Sequence, residues 1–178
     1  MARTPSNMLA LETKAPDFLL QDTVDDNYKS LKELKGPSGA VIMFICNHCP
    51  FVIHVNKTLV KVANEYKTKG IGFIAISSND IIQYPQDAPP KMKQHALQQN
   101  YPFPYLYDAS QEIAKAYDAA CTPDIYVFGK DLKLVYRGQL DDSRPGNGIE
   151  VTGNDLRHAL DCVLSDKINS NDQKPSIG

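Results

Sequence analysis

The chain has 178 residues, 42% of them apolar, which is enough for one sizeable core and calls for no second domain. Its net charge is −2, with 19 Lys and Arg scattered among 21 Asp and Glu, so it offers no basic footprint for nucleic acid or for an anionic membrane. No run reaches the ~18 apolar residues of a membrane span, and residues 1–14 lack the apolar stretch of a signal peptide. The expectation is therefore a cytoplasmic protein whose four cysteines are catalytic or free rather than a structural framework.

In chain order, residues 1–14 read as a flexible arm, 15–168 as one domain and the polar stretch 169–178 as a disordered tail. A short strand is predicted over 18–20, then a helical turn over 30–34 stopped by Gly36-Pro37. The apolar run 40–45 predicts a strand. After Pro50, which suits a first helical turn, apolar residues recur at Val52, Val55, Leu59, Val62 and Tyr66, the spacing of one helical face, and Gly70 ends that helix. The β-branched run 71–76 predicts a strand covered on both sides, so 40–76 forms a βαβ unit.

Residues 77–90 read as a polar, proline-bearing loop, followed by a helix over 90–99 and an extended segment over 103–107. Asp108-Ala109-Ser110-Gln111 resembles a capping box opening a helix to 119. Past Pro123, the runs 125–128 and 132–136, joined by Gly129-Lys130-Asp131, predict a hairpin. A last helix over 154–165, capped by Asn154 or Asp155, places Leu156, Ala159, Leu160, Val163 and Leu164 toward the core, with Cys162 packed or partly exposed.

Cys46-Asn47-His48-Cys49-Pro50 sits where the strand over 40–45 meets the helix. Two thiols three positions apart can close a disulfide, and unpaired N–H groups at a helix start favour the thiolate, which predicts that Cys46 ionises readily. A C-x-x-C pair can also be half of a zinc site, but no second C-x-x-C and no H-x₃₋₅-H accompanies it; inert packing leaves Asn47-His48 unexplained.

Ala15-Pro16-Asp17-Phe18, the turn over 31–34, Cys46-Asn47-His48-Cys49-Pro50-Phe51, Cys121-Thr122-Pro123-Asp124 and Tyr136-Arg137-Gly138 through Pro145 together resemble the redoxin branch of the thioredoxin family, the peroxiredoxin-like AhpC/TSA-related proteins. The resemblance covers 14–167. It implies an α/β thioredoxin-like fold: a mixed central sheet with helices on both faces, an N-terminal extension and a central β/α insertion. It further implies a thiol-disulfide oxidoreductase in which Cys46 is the exposed attacking thiolate, Cys49 the buried resolving thiol, and Asn47 and His48 tune the pair. Thr122 and Pro123 would be the threonine and cis-proline that face the dithiol and bind substrate. Cys121 falls beside them as a third redox thiol, a metal ligand or a packed residue. The implied partners are protein or small-molecule disulfides and thiols and a cellular dithiol reductant, with no cofactor and no resident metal.

The sequence departs from the family in two respects. The acid that thioredoxins carry six residues before the first Cys is Ala40 here, which leaves the proton acceptor for Cys49 unassigned. The peroxiredoxin signature P-x-x-x-[TS]-x-x-C is absent, since Met43 stands three residues before Cys46 and Cys46 three before Cys49. The competing functions are a thiol peroxidase using the same cysteines, and a non-enzymatic module in which Cys46, Cys49 and His48 or Cys121 hold Cu(I) or Zn²⁺.

Overall fold

A computed structural model describes residues 3–178. Its centre is β3 (Gly39–Phe44), α2 (Pro50–Lys67) and β4 (Ile71–Ser77), the βαβ unit that the hydrophobic pattern predicts. Every residue of β3 is buried, as a strand with neighbours on both edges and cover on both faces requires. β3 and β4 pair in parallel, Gly39 opposite Ile71 through Phe44 opposite Ile76. Val52, Val55, Leu59, Val62 and Tyr66 of α2 are all buried against the sheet. The helix gives way through Gly70, whose φ of +90° lies where a side chain would be strained.

β1 (Leu19–Asp22), β2 (Tyr28–Ser30), β5 (Tyr105–Tyr107), β6 (Asp124–Gly129) and β7 (Leu134–Gly138) complete a seven-stranded mixed sheet of order β2-β1-β5-β4-β3-β6-β7. One apolar cluster lies on the face of α2 and α5 (Asn154–Leu164), and includes Cys46 and Cys49. The other joins Phe44, Tyr117, Tyr126 and Phe128 on the opposite face, so both faces are covered as expected. No helix is long and apolar enough to cross a membrane among the described residues.

The short helix α1 (Leu31–Leu34) carries a full capping box between Ser30 and Glu33. Past α1, local expectations differ in three places. Asp108 is not the N-cap of α4 (Glu112–Ala116), a place held by Gln111; its carboxylate takes the first-turn N–H of Ala114 at 3.0 Å and the Ser78 hydroxyl at 2.8 Å. In the hairpin, the turn extends to Lys133 and β7 begins at Leu134, because Gly129 N–H bonds Lys133 O and Asp131 accepts from Lys133 N–H. The start of α5 is held by neither Asn154 nor Asp155; buried Asp141 accepts from the N–H groups of Thr152 (2.7 Å), Gly153 (2.6 Å) and Ser143 (2.9 Å).

Both segments expected to be loose are tied to the sheet edge. Leu9 O accepts from Arg137 Nε at 2.8 Å, and Leu134 N–H bonds Thr13 O at 2.9 Å. In the tail, Lys174 O accepts from Gln139 N–H at 3.0 Å, and buried Ser176 donates to Gly138 O at 2.6 Å. Ile177 bridges Pro5, and Thr4 and Gly178 exchange two backbone bonds of 2.8 and 3.0 Å. Most of these bonds run between main-chain groups, with Arg137 and Ser176 adding side-chain donors, so a polar side-chain pattern does not oppose the pairing.

Candidate active site around a buried dithiol

β3 ends at Phe44 and delivers Cys46 below the start of α2, whose N-cap is Cys49 and whose first residue is Pro50. Both sulfurs flank one residue of the opposing loop. Cys46 Sγ lies 3.4 Å from the Thr122 hydroxyl and Cys49 Sγ 3.1 Å from the Thr122 carbonyl. The Thr122–Pro123 peptide bond is cis.

Exposure is the reverse of the expected order: Cys46 is 1% exposed and Cys49 9%. The helix begins one residue after Cys49, so Cys49 rather than Cys46 occupies the helix N-terminus with its free N–H groups and positive dipole end. The neighbouring Cys46 thiol and the N–H groups of Phe51 and Val52 hold the Cys49 thiol well below its ordinary value, against burial. Cys46 is pushed up by the adjacent Cys49, by burial and by Asp87. Helix position and these directions favour the thiolate on Cys49 rather than on Cys46, the reverse of the sequence expectation.

The proline-bearing loop between β4 and α3 (Pro89–Gln98) folds over the dithiol and brings residues that the sequence did not single out. Its 3₁₀ turn, Pro85–Asp87, buries the Asp87 carboxylate completely. Asp87 accepts from Asn47 N–H at 2.8 Å, from His48 Nδ1 at 2.6 Å and from the Asn79 amide at 2.8 Å. The His48 ring stacks on Tyr84, centroids 4.5 Å apart and planes 11° apart. Asn47 donates to Gln86 O at 2.8 Å and accepts from the Tyr105 hydroxyl at 3.1 Å. Asn47 and His48 are therefore anchored to this loop rather than being free turn residues.

A cleft of about 790 Å³ opens beside the thiols, lined among others by Cys46, Cys49, Phe51, Tyr84, Cys121 and Thr122. Cys121 shares the cleft but its thiol points to Pro123 O at 3.6 Å, and burial, Asp124 and Cys49 push it up, which keeps it protonated. Asp124 is buried and bonds Tyr126 OH at 3.0 Å, and burial raises it. Cys46, His48 and Asp87 bring sulfur, nitrogen and oxygen donors within 4.8 Å of one another, but both Asp87 oxygens are already taken by protein donors. The cluster is satisfied as a hydrogen-bond network.

A profile of the AhpC/TSA family matches residues 11–137. The chain is similar over its whole length to an uncharacterized conserved protein from Geobacillus kaustophilus, at 57% identity, covering 94% of that chain, with a TM-score of 0.98. It is 45% identical over 98% of its length to a hypothetical protein from Sinorhizobium meliloti 1021, covering 95% of that chain, TM-score 0.95. It shares the fold of the thioredoxin domain of a thiol-disulfide oxidoreductase from Bacteroides vulgatus, at 18% identity, 85% and 99% coverage of the two chains and a TM-score of 0.65. No curated protein matches the chain.

Proposed function

The chain belongs to the AhpC/TSA family, thioredoxin-like redoxins, and from that premise we propose that it is a thiol-disulfide oxidoreductase cycling a Cys46/Cys49 dithiol and disulfide. The observation that carries this reading is the contact of both sulfurs with Thr122, which places them side by side at the end of one strand and the start of one helix.

The place of Cys49 at the helix N-terminus, its lowered thiol and its greater exposure support its role as the attacking group. The Cys49 thiolate attacks a partner disulfide: a Cys49–partner bond forms, the partner S–S bond breaks, and the leaving sulfur departs as thiolate. Cys46 then loses its proton and attacks Cys49 Sγ, closing Cys46–Cys49 and releasing the second partner thiolate. A cellular dithiol restores the reduced pair by the same exchange in reverse. Protein and small-molecule disulfides are the substrate class, and Thr122 lines the cleft through which they approach, while Pro123 lies outside that lining. Cys121, protonated and turned to Pro123, is a bystander in this cycle.

A Cys46→Ser variant tests the order, because it removes resolution while leaving attack. It accumulates a mixed disulfide at Cys49; accumulation instead in Cys49→Ser, at Cys46, would reverse the roles. A second reading is favoured by the placement of Cys49 at the N-terminus of α2. There the thiolate attacks a peroxide oxygen, giving Cys49 sulfenic acid and an alcohol or water, and Cys46 condenses with it to the disulfide with loss of water. Peroxide consumption by the reduced protein separates the two readings.

A further inference from the structure

Asp87 is a carboxylate with no solvent exposure, and its one salt-bridge partner among the described residues is His48, through Nδ1 at 2.6 Å. A buried carboxylate is tolerated when it is hydrogen-bonded and its charge is balanced. The N–H donors of Asn47 and Asn79 supply hydrogen bonds but no charge, which leaves the imidazole, once it takes up a proton, as the group that balances the carboxylate. A histidine whose Nδ1 is fixed on a carboxylate is oriented as a proton acceptor, the arrangement in which the second group holds ring and tautomer. Cys46 Sγ, a His48 ring nitrogen and an Asp87 oxygen all lie within 4.8 Å of one another, a span that one water or a small side-chain adjustment bridges.

Resting on the reading above, in which Cys46 resolves, we propose that His48 accepts the Cys46 proton and that Asp87 is the positioning residue which holds His48 in place and stabilises its imidazolium. In the mixed-disulfide state the S–H bond of Cys46 breaks and its proton passes to His48. The Cys46 electron pair forms the bond to Cys49 Sγ, and the Cys49–partner bond breaks with its electrons leaving on the partner. The imidazolium then protonates that leaving thiolate, so the pair ends as it began.

The neighbouring titratable groups do not compete for this role. Tyr101 and Tyr105 are pushed up by burial and stay neutral phenols. His95, on α3, is pushed down by burial and bonds Tyr101 OH at 3.1 Å. Tyr84 stacks on the His48 ring and contributes a face, not a base. Cys49 is consumed in the mixed disulfide at this step.

The test is the reaction of the reduced full chain with 5,5′-dithiobis(2-nitrobenzoic acid), in which attack and resolution each release one coloured thiolate. The expected result is that His48→Gln and Asp87→Asn slow the second release at least ~10-fold and flatten its pH dependence, while the first release stays within about twofold. Where Asp87→Asn does not fold, His48→Gln carries the test, because its side chain is 28% exposed. An unchanged second release in His48→Gln, or equal slowing of both releases, would overturn the inference. A wild type that releases a single thiolate, like Cys46→Ser, would instead overturn the exchange reading on which the inference rests.

Discussion

Gly178 lies so close to Thr122 that a Cβ on residue 178 would stand 2.2 Å from the Thr122 carbonyl oxygen and 2.7 Å from its nitrogen. The tail therefore covers main chain beside the dithiol, and Gly178 and Thr4 both line the cleft. Gly178→Ala forces the tail off this backbone, since neither partner atom belongs to a side chain that can swing away. The expected outcome is faster reaction of the dithiol with a bulky peptide disulfide, and little change with a small one. Deleting residues 174–178 gives the same split, read from the two rate constants.

The lowered Cys49 thiol sets the pH dependence of the reduced protein. A group whose folded pKa lies below its unfolded value contributes stability that is fully present above the unfolded value and is lost as pH falls through the folded one. The reduced wild type gains stability relative to Cys49→Ser as pH rises toward the ordinary thiol value of ~8.5, measured by urea unfolding. Iodoacetamide modifies Cys49 before Cys46, Cys121 and Cys162 at neutral pH, as peptide mapping of a brief reaction shows.

Thr122→Val removes the hydroxyl that contacts Cys46 Sγ at 3.4 Å and lowers both thiols. The dithiol loses a hydrogen bond that its thiolate form uses, so the disulfide gains relative to it. One such bond, about 1 kcal/mol, corresponds to about 20 mV in a two-electron couple, toward more negative potential. Equilibration in a thiol/disulfide buffer reads the shift.

Asp141→Ala leaves three backbone N–H groups, of Ser143, Thr152 and Gly153, without their acceptor. Burial would raise this carboxyl, but the Ser143, Gly153 and Thr152 hydrogen bonds hold it below the usual range. The expected loss is about 3 kcal/mol or more by urea unfolding, with unchanged reactivity of Cys49 in the fraction that is folded.

What the sequence revealed, and what it hid, follows from the kind of interaction involved. The βαβ core was readable because burial of α2 imposes a 3.6-residue period on Val52, Val55, Leu59 and Val62, and full cover makes β3 continuously apolar. Cys46, Cys49, Thr122 and Pro123 announced themselves by residue type and by their places at a strand end and before a hairpin. Asp87 and Tyr84 did not, because the loop over 77–90 has no period and is ordered by what it covers. The exposure of the two thiols turns on whether the helix starts before or after Cys49, and helix ends are fixed by tertiary contacts such as the Asn47–Asp87 bond. The docking of the arm and tail rests largely on backbone pairing, which leaves little trace in side-chain pattern.

The most direct test of the account is redox titration of the purified protein in a thiol/disulfide buffer, with peptide mapping of the oxidised form. One reversible two-electron transition is expected, in which Cys46 and Cys49 pair and Cys121 and Cys162 stay reduced. A disulfide that includes Cys121, or the absence of any reversible pair, would contradict it.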